Sequence, residues 1–241
     1  MTFPEPFPSE RELFEVYDRG YMDLELPGHG LHLRFKPGYR EAYRRERDLT
    51  LKDLGLRPAD LAGRRILDVG CANGIFLDYL RGHGVTASGI DISSEMVEAA
   101  RSRGLDARCA SLDEVEGTWD AIALWDVIEH LPDPVHALER IAGLLAPGGE
   151  LWLQTPCTGL VSGLFGARWR NYIHPQHLHL FSERGLAHWL GRHGFRILRR
   201  VRFGSGNTAG TIPMPLKRAA DRFAKSRGVG DTIALRARLE G

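Results

Sequence analysis

The sequence contains few cysteines and almost no net charge. Cys71, Cys109 and Cys157 are its three cysteines, and no two of them form a Cys-x-x-Cys pair. This argues against a disulfide framework and a cysteine zinc site, and it favours a reducing, cytoplasmic setting. The 32 Lys and Arg residues nearly balance the 31 Asp and Glu residues, and 43% of the chain is apolar. Such a composition excludes a histone-like polybasic protein and a disordered chain.

Long apolar runs are also missing. The first residues contain neither a basic segment nor an apolar segment of the kind found in a secretory signal, so we expect no such signal. The longest uncharged stretch, Leu151 to Ala167, contains Pro156 and several glycines. Because a membrane span needs about 20 continuous apolar residues, we expect no membrane span here.

The chain changes character near residue 63. Before that point it is rich in charged and aromatic residues, and Tyr39 to Arg47 is typical of a solvated helix that ends before Gly55. From Arg65 onward, short apolar runs alternate with helical patterns, which is typical of β-α-β units in a parallel sheet. We therefore expect an N-terminal helical cap over residues 1–62 and an α/β core over residues 63–241.

Seven strands are expected, each from a short apolar or alternating run. They are Ile66 to Val69, Thr86 to Ile90, Asp106 to Cys109, Ala121 to Trp125, Glu150 to Thr155, Phe195 to Phe203 and Thr232 to Leu239. Helix start signals lie between them, since Asp133 followed by Pro134 predicts one helix and Ser182 predicts another.

The most informative segment is the glycine-rich turn after the first strand. Ile66 to Phe76 reads as a buried strand, a turn containing Gly70 and Gly74, and a helix, which lets a ligand approach the backbone closely. Seventeen residues after Gly74, Asp91 ends the second strand, where a carboxylate can accept hydrogen bonds from a ribose diol. The pattern indicates a nucleoside-binding half of an α/β fold.

The spacing of the glycines disfavours a dinucleotide. A G-x-G-x-x-G fingerprint counted from Gly70 meets Ala72 and Ile75 where glycines are needed. Asp68, Gly70, Ala72 and Gly74 instead resemble motif I of the class I S-adenosylmethionine-dependent methyltransferases, with Ala72 in place of the middle glycine. The likeness covers residues 40–203. Its further parts are Asp91, Ser111-Leu112-Asp113, the run from Trp125 to Leu131, and the run from Leu145 to Gly149.

This resemblance implies a doubly wound α/β fold with a mostly parallel seven-stranded sheet. It also implies contacts to S-adenosylmethionine from Asp68, Gly70, Cys71, Ala72, Gly74, Asp91, Ile92, Ser111, Leu112, Trp125 and Asp126. In that set Asp68 and the Gly70 backbone hold the methionine part, and Asp91 holds the ribose. Ile92 and Leu112 enclose the adenine, with Ser111 at its amine.

Two residues ahead of the core are further candidates for the cofactor site. Tyr43 and Arg47 are four residues apart on one helix face, so they can close over the cofactor with Arg47 facing its carboxylate. The alternative is a solvated helix face without a ligand.

A histidine-rich segment follows the fifth strand. Residues 169–182 resemble the His-Pro-x-His-Leu-x-x-Phe-Ser signature of a bacterial branch of small-molecule methyltransferases, which implies an acceptor lid over residues 156–181. Methylation of an oxygen requires removal of a proton, and His177 is our first candidate base, with His174 and His179 as alternatives. The competing interpretation is a strand edge whose histidines only bond to the backbone.

A second constellation competes for the chemistry at the acceptor. Asp126, Glu129 and His130 share one face if their turn is helical. In ubiquinone-type O-methyltransferases a similar acid-x-x-Glu-His run holds a divalent metal near the acceptor oxygen. The alternative, which we prefer, is that Glu129 and His130 shape the pocket floor and that no metal binds.

The expected reaction is S-adenosylmethionine-dependent O-methylation of a partly hydrophobic small molecule, with S-adenosylhomocysteine as product. The hydrophobic character comes from lid residues Leu160, Val161, Leu164, Phe165, Trp169 and Tyr172. The alternatives are an RNA or protein methyltransferase and a non-catalytic S-adenosylmethionine-binding module. Arg196 to Gly241 contains eleven Lys and Arg against three Asp and Glu, yet it matches no RNA-binding module, so we expect no nucleic-acid partner.

Overall fold

In the computed structural model of the chain, the described residues are 38–173, 176–206 and 213–240, with the backbone alone at Met214. Most of the expected cap, residues 1–37, lies outside these ranges, and so does His174. Among the described residues, no helix is both long enough and apolar enough to cross a membrane.

The apolar runs form the expected strands. These are β1 Ile66–Val69, β2 Ala87–Asp91, β3 Asp106–Cys109, β4 Trp119–Trp125, β5 Leu145–Thr158, β6 Phe181–Ser182, β7 Phe195–Phe203 and β8 Thr232–Leu239. The main sheet has the order β3-β2-β1-β4-β5-β8-β7, and β6 pairs with the end of β5. Strand β8 is antiparallel to both of its neighbours, and the other pairings are parallel. The prediction of a mostly parallel seven-stranded sheet is confirmed, with β6 as a two-residue addition.

The helices begin and end where local chemistry favours it. They are α1 Tyr39–Asp53, α2 Ile75–Arg81, α3 Ser94–Arg101, α4 Pro134–Leu144, α5 Leu160–Phe165, α6 Glu183–Arg192 and α7 Met214–Arg227. The Asp133 carboxylate accepts hydrogen bonds from the first amides of α4, and Pro134 occupies the first helical position. Ser182 accepts from the amide of Gly185 at the start of α6, as its sequence position predicts.

Helices cover both faces of the sheet. On one face α4 and α6 contribute Leu138, Ile141 and Leu186 to an apolar cluster with the strands. On the other face α1 and α2 pack around Trp152. Both faces of the central strands are therefore buried, as a parallel sheet requires.

Helix α1 is solvated over most of its predicted range, as its composition predicts, because six of the nine residues from Tyr39 to Arg47 are exposed. Arg47 is the exception, and Thr50 and Leu51 beyond it are buried as well. One side of α1 packs on the sheet face that contains Trp152. The helix ends at Asp53, before Gly55, as expected.

A buried ion network lies at the amino-terminal end of β5. The Glu150 side chain is 3% exposed and accepts hydrogen bonds from Arg236, Arg64 and the Trp152 indole. Arg238 lies 3.3 Å from the same carboxylate. Burial alone would raise the pKa of Glu150, but the bonds from Arg236 and Trp152 and the nearby guanidinium charges lower it to about 2. This network stabilises the end of the sheet opposite to the candidate site.

Candidate functional site

The carboxyl ends of β1 and β4 define a crevice. The chain proceeds from β1 to β2 and β3 on one side and to β4 and β5 on the other, so the direction of strand progression reverses between β1 and β4. In open α/β sheets, ligands bind at such a switch point. The glycine turn after β1, Asp91 at the end of β2 and Trp125 at the end of β4 all lie at this edge.

The turn after β1 requires its glycines. Gly70 has φ of +70°, and a Cβ there would lie 2.5 Å from a methyl carbon of Val127. Gly74 also has positive φ, and its Cβ would lie 2.6 Å from a methyl carbon of Leu105. Ala72, in place of the middle glycine, adopts a left-handed conformation with φ of +45°, which is strained for a residue with a side chain. Strain of this kind concentrates where backbone must meet a ligand.

Asp91 is fixed in place by backbone amides. One carboxylate oxygen accepts from the amide of Ala72 at 2.8 Å, and the other accepts from the amide of Ser93 at 2.9 Å. The carboxylate therefore bridges the glycine turn and the start of α3. Since each carboxylate oxygen can accept more than one hydrogen bond, this position suits the ribose diol that the sequence predicts.

Asp68 and Cys71 are buried beside the turn. Desolvation, followed by the charges of Asp68 and Asp91, raises the pKa of the Cys71 thiol far above its ordinary value. Cys71 is therefore a neutral packing residue, and it lies against Gly89, where an added Cβ would meet its side chain at 2.7 Å.

The expected adenine residues lie beyond Asp91. Ile92 is an exposed aliphatic side chain, and Leu112 is half-buried in the 3-10 turn Leu112–Glu114. The Ser111 hydroxyl donates to the Glu114 carboxylate at 2.8 Å, in a capping box with the Ser111 amide. These bonds lower the pKa of Glu114. The Ser111 hydroxyl thus donates its proton within the capping box. Its oxygen is the atom suited to accept a hydrogen bond from an adenine amine.

Arg47 of α1 is buried against Trp125 at the end of β4. Arg47 is 3% exposed. Its guanidinium carbon lies 3.9 Å from the ring centroid of Trp125, 5.0 Å from that of Tyr43 and 5.7 Å from that of Phe76. Two of its nitrogens, Nε and Nη1, are buried without a hydrogen-bond partner. Buried charged donors without partners are costly, so this arrangement suits an anionic group of a ligand.

Asp126 follows Trp125 in a left-handed conformation with φ of +57°. Its amide donates to the Gln154 carbonyl at 2.9 Å, and its carboxylate accepts from the Gln154 side-chain amide at 2.8 Å. The two bonds turn the chain away from β4 at the crevice. Gln154 was not predicted from the sequence, and its signal there is only that it is a polar residue inside an apolar strand.

Two histidines meet beside the turn that follows β4. The His130 and His177 rings pack edge to face, with centroids 4.8 Å apart. Nδ1 of His130 lies 2.8 Å from the Gln176 carbonyl, and Nδ1 of His177 lies 2.7 Å from the Asn171 carbonyl. If each Nδ1 donates to its carbonyl, the basic lone pair of both rings lies on Nε2.

Glu129 lies close to these rings and is fully buried. One carboxyl oxygen accepts from the Thr155 hydroxyl at 3.0 Å, and the other, Oε1, has no hydrogen-bond partner. Desolvation and the nearby Asp126 raise the pKa of Glu129 well above its ordinary value. Its backbone carbonyl accepts from the amides of Leu178 and His179, which attaches the histidine segment to this turn.

The other two histidine candidates are placed differently. Nε2 of His179 lies 3.4 Å from the Pro132 carbonyl, and desolvation lowers the pKa of this imidazole. Residues 176–180 form no strand, although His177 and His179 both face backbone carbonyls, as the competing interpretation supposed. His174 lies outside the described residues.

One group in the described part of the chain has the composition of a metal site. Potential ligand atoms of Glu129, His130 and His177 lie within 4.8 Å of one another. Asp126 does not belong to this group, because Ile128–His130 is a 3-10 turn and Asp126 precedes it in a left-handed conformation. Of the three alternative metal ligands named from the sequence, the group retains Glu129 and His130. His177 takes the place of Asp126.

The expected lid begins and ends at one place on the sheet. It leaves β5 at Thr158 and returns through β6, which pairs with β5 at Cys157 and Thr158. The Trp169 indole donates to the buried carboxylate of Asp231 at 2.9 Å, which anchors the lid beside β8. Sequence reasoning missed Asp231, because nothing in a pattern relates residues 62 positions apart.

Comparison with known proteins places these features in context. A family described as a methyltransferase domain matches residues 39–200. A ubiquinone biosynthesis O-methyltransferase from Xylella fastidiosa (strain 9a5c) is 30% identical over 206 residues, which are 78% of this chain and 78% of the relative. The same-named protein from Xanthomonas oryzae pv. oryzae (strain PXO99A) is 38% identical over 106 residues, which are 40% of this chain and only 44% of that relative.

A solved structure shows the same fold. Magnesium protoporphyrin IX methyltransferase from Synechocystis PCC 6803, crystallised with bound S-adenosylhomocysteine, superimposes with a TM-score of 0.64 at 16% identity. The superposition covers 95% of this chain and 99% of that one.

Proposed function

Because the chain belongs to the family of methyltransferase domains, we propose that it transfers the methyl group of S-adenosylmethionine to an oxygen of a partly hydrophobic small molecule. The observation that carries this proposal is Arg47, whose guanidinium packs against the Trp125 ring at the end of β4 and has two buried donors without hydrogen-bond partners. The carboxylate of the methionine part would satisfy both donors. A nucleoside without that carboxylate would leave them without a partner.

The remaining cofactor contacts follow from the same edge of the sheet. Asp91, held by the amides of Ala72 and Ser93, would accept hydrogen bonds from the ribose hydroxyls. Asp68 and the backbone at Gly70 would hold the methionine end, and Ile92 with Leu112 would enclose the adenine. When bound, S-adenosylmethionine supplies an electrophilic methyl group on a sulfonium.

The chain would contribute orientation and proton removal to the transfer. The acceptor oxygen forms a bond to the methyl carbon as the carbon–sulfur bond breaks, and the hydroxyl proton must leave the oxygen. We assign that proton to Nε2 of His177, because the Asn171 carbonyl holds Nδ1 and sets the orientation of the ring. His130 packs against this ring and keeps it in place.

A divalent metal would fit the same acceptor side. Glu129 has a buried carboxyl oxygen without a partner, and it is close to two imidazoles whose Nδ1 atoms contact backbone carbonyls. Carbonyl contacts of this kind orient histidine ligands in metal sites. Glu129, His130 and His177 would hold such an ion, which would lower the pKa of an acceptor hydroxyl. Methyl-transfer activity measured after chelation distinguishes a bound divalent ion from His177 acting as a base without a metal.

The acceptor class rests on the lid. Leu160, Leu164 and Tyr172 are exposed, whereas Val161 and Trp169 are buried and serve packing. The exposed side chains favour an acceptor with an apolar part. The relatives named ubiquinone biosynthesis O-methyltransferases support a ring hydroxyl of a quinone precursor.

The organisation predicted from the sequence is part of this proposal. Residues 1–62 would form the cap over the cofactor, residues 63–241 the core and residues 156–181 the acceptor lid. We also keep the reducing, cytoplasmic compartment as a proposal, which the three free cysteines support.

The experiment measures the rate of S-adenosylhomocysteine formation by wild type, H177Q and H179Q with a panel of hydroxylated aromatic acceptors. If His177 removes the proton, H177Q lowers kcat by about 10²- to 10⁴-fold, while H179Q keeps most activity. Equal activity of wild type and H177Q would overturn the assignment of the base. Binding of S-adenosylmethionine without turnover of any acceptor would favour the non-catalytic alternative, and affinity for RNA that falls steeply with salt would favour a nucleic-acid substrate.

A further inference from the structure

Asn171 in the lid is a buried polar residue whose side chain has an unpaired donor. Asn171 is 6% exposed, whereas Arg170 and Tyr172 on either side of it are exposed. Its Nδ2 is buried and has no hydrogen-bond partner in the described part of the chain. An asparagine in a turn commonly bonds to the nearby backbone. Since Nδ2 of Asn171 makes no such bond, turn formation does not account for this donor.

The backbone of the same residue contacts the candidate base. The Asn171 carbonyl lies 2.7 Å from Nδ1 of His177, and the His177 amide donates to the Ile173 carbonyl at 2.7 Å. Two contacts thus join residues 171–173 to His177. The Asn171 side chain therefore belongs to the immediate surroundings of the imidazole that we assign as the base.

A second set of bonds fixes the segment from the other direction. The Trp169 indole donates to the buried Asp231 carboxylate at 2.9 Å, and the Tyr172 amide donates to the Trp169 carbonyl at 2.9 Å. The Asp231 carbonyl in turn accepts from the Cys157 amide in the last part of β5. Asn171 is thus held between the sheet and His177, so a ligand does not have to order it on binding.

The chemistry of Nδ2 determines what can satisfy it. A side-chain amide nitrogen donates hydrogen bonds and accepts none, so its partner must supply a lone pair. A ligand that leaves a buried donor without a partner loses affinity relative to one that supplies the lone pair. A hydrocarbon group in the same place supplies none. Such a site discriminates between ligands that differ in a single polar atom.

We propose that Asn171 is a specificity-determining residue whose Nδ2 donates a hydrogen bond to a second oxygen of the methyl acceptor, close to the hydroxyl that is methylated. This inference rests on the proposed function, since it assigns part of the acceptor site of that reaction. The two polar groups of Asn171 then serve separate purposes. Its main-chain carbonyl orients His177, and its side-chain amide selects the acceptor.

Two small phenols of nearly equal shape test the proposal in wild type. Guaiacol carries a methoxy group beside its hydroxyl, and ortho-ethylphenol has a methylene in place of the ether oxygen. We expect kcat/KM for guaiacol to exceed that for ortho-ethylphenol by about 10- to 100-fold, mainly through KM. The affinities of the two phenols for the protein loaded with S-adenosylhomocysteine should differ in the same direction, and calorimetry measures them without turnover.

Variants at position 171 assign the preference to the side chain. N171L removes the donor at a similar volume, and N171D keeps the shape but replaces the nitrogen with an oxygen. Because both variants retain the main-chain carbonyl that contacts His177, the ratio between the two phenols reports on the side chain. We expect the preference for guaiacol to disappear in both. The matched control is R168Q, which changes an exposed residue of the lid and should keep the wild-type preference.

The outcomes separate this inference from the proposed function. Turnover of both phenols by wild type without a preference would overturn the role of Asn171 and leave methyl transfer intact. A preference that persists in N171L and N171D would also overturn it, and so would a loss by the same factor for both phenols, which indicates a structural role. Preferential binding of guaiacol that N171D abolishes, without turnover of either phenol, would support the contact and contradict the reaction. If guaiacol does not bind to wild type, the inference is wrong.

Melting curves accompany each measurement, so that misfolding cannot imitate a loss of binding. If N171L lowers Tm, N171D and the comparison of the two phenols in wild type still decide the question.

Discussion

Replacing Glu150 with glutamine should destabilise the protein strongly. The buried carboxylate accepts two hydrogen bonds from Arg236, at 3.0 and 2.6 Å, and one each from Arg64 at 3.4 Å, Arg238 at 3.3 Å and Trp152 at 3.1 Å. Glutamine keeps the volume but leaves the guanidinium groups without a counter-charge. A pKa lowered from 4.5 to about 2 corresponds to about 3 kcal/mol, within the usual range for breaking a buried ion pair.

The loss should depend on pH in a defined direction. Because the folded-state pKa lies below the unfolded one, the contribution is complete above about pH 5 and is lost as the pH falls toward the folded pKa. The difference between wild type and E150Q should therefore shrink from about 3 kcal/mol near pH 7 to about 1 kcal/mol near pH 3. At neutral pH this corresponds to a Tm lower by about 6 to 12 °C.

Urea unfolding followed by circular dichroism at the two pH values measures both numbers. The matched control is E240Q, which removes a carboxylate whose ion pair with Arg196 is more than half exposed and should cost at most about 0.5 kcal/mol. A loss below about 1 kcal/mol for E150Q near neutral pH would refute the reasoning, and so would a loss that is the same at both pH values.

The other predictions concern the crevice. R47M should weaken binding of S-adenosylmethionine about 10- to 100-fold without lowering Tm, because it removes two buried donors that lack partners together with their ligand contact. Calorimetry with a parallel melting curve measures both, and unchanged affinity would contradict the assignment of the cofactor carboxylate to Arg47. E129Q should raise Tm, and more so at pH 8 than at pH 5, because a buried acid with a raised pKa loses stability as the pH rises above its unfolded pKa. A pH-independent difference would show that Glu129 is not held neutral. Treatment with EDTA should leave activity unchanged if His177 is a simple base, and should abolish it, with recovery on adding Mg²⁺, if an ion occupies the cluster of Glu129, His130 and His177.

The sheet and the cofactor edge were predictable because their signals are local. The bounds of β1, β3, β7 and β8 agree with the apolar runs, and the glycine turn requires the residues that the motif contains. Arg47 is buried, and its contact with the cofactor stays a prediction. The packing of the charged helix α1 could not be predicted, because composition does not show which face of a helix packs on a sheet.

The acceptor side was less predictable because its contacts join distant segments. His130 and His177 are 47 positions apart, and they meet because the Glu129 carbonyl binds the amides that follow His177. Strand β5 continues past its expected end at Thr155 because β6 and β8 both pair with its last residues. Pairings of this kind depend on the whole fold and cannot be predicted from a short sequence pattern.

The central claim is that the crevice binds S-adenosylmethionine, and calorimetric titration of wild type, D91A and the surface control D60A tests it most directly. We expect micromolar binding to wild type and D60A, with D91A weaker by about 1 to 3 kcal/mol because charge-assisted hydrogen bonds to the ribose are lost. Equal affinity of D91A and wild type, or no binding to wild type of either S-adenosylmethionine or S-adenosylhomocysteine, would contradict it.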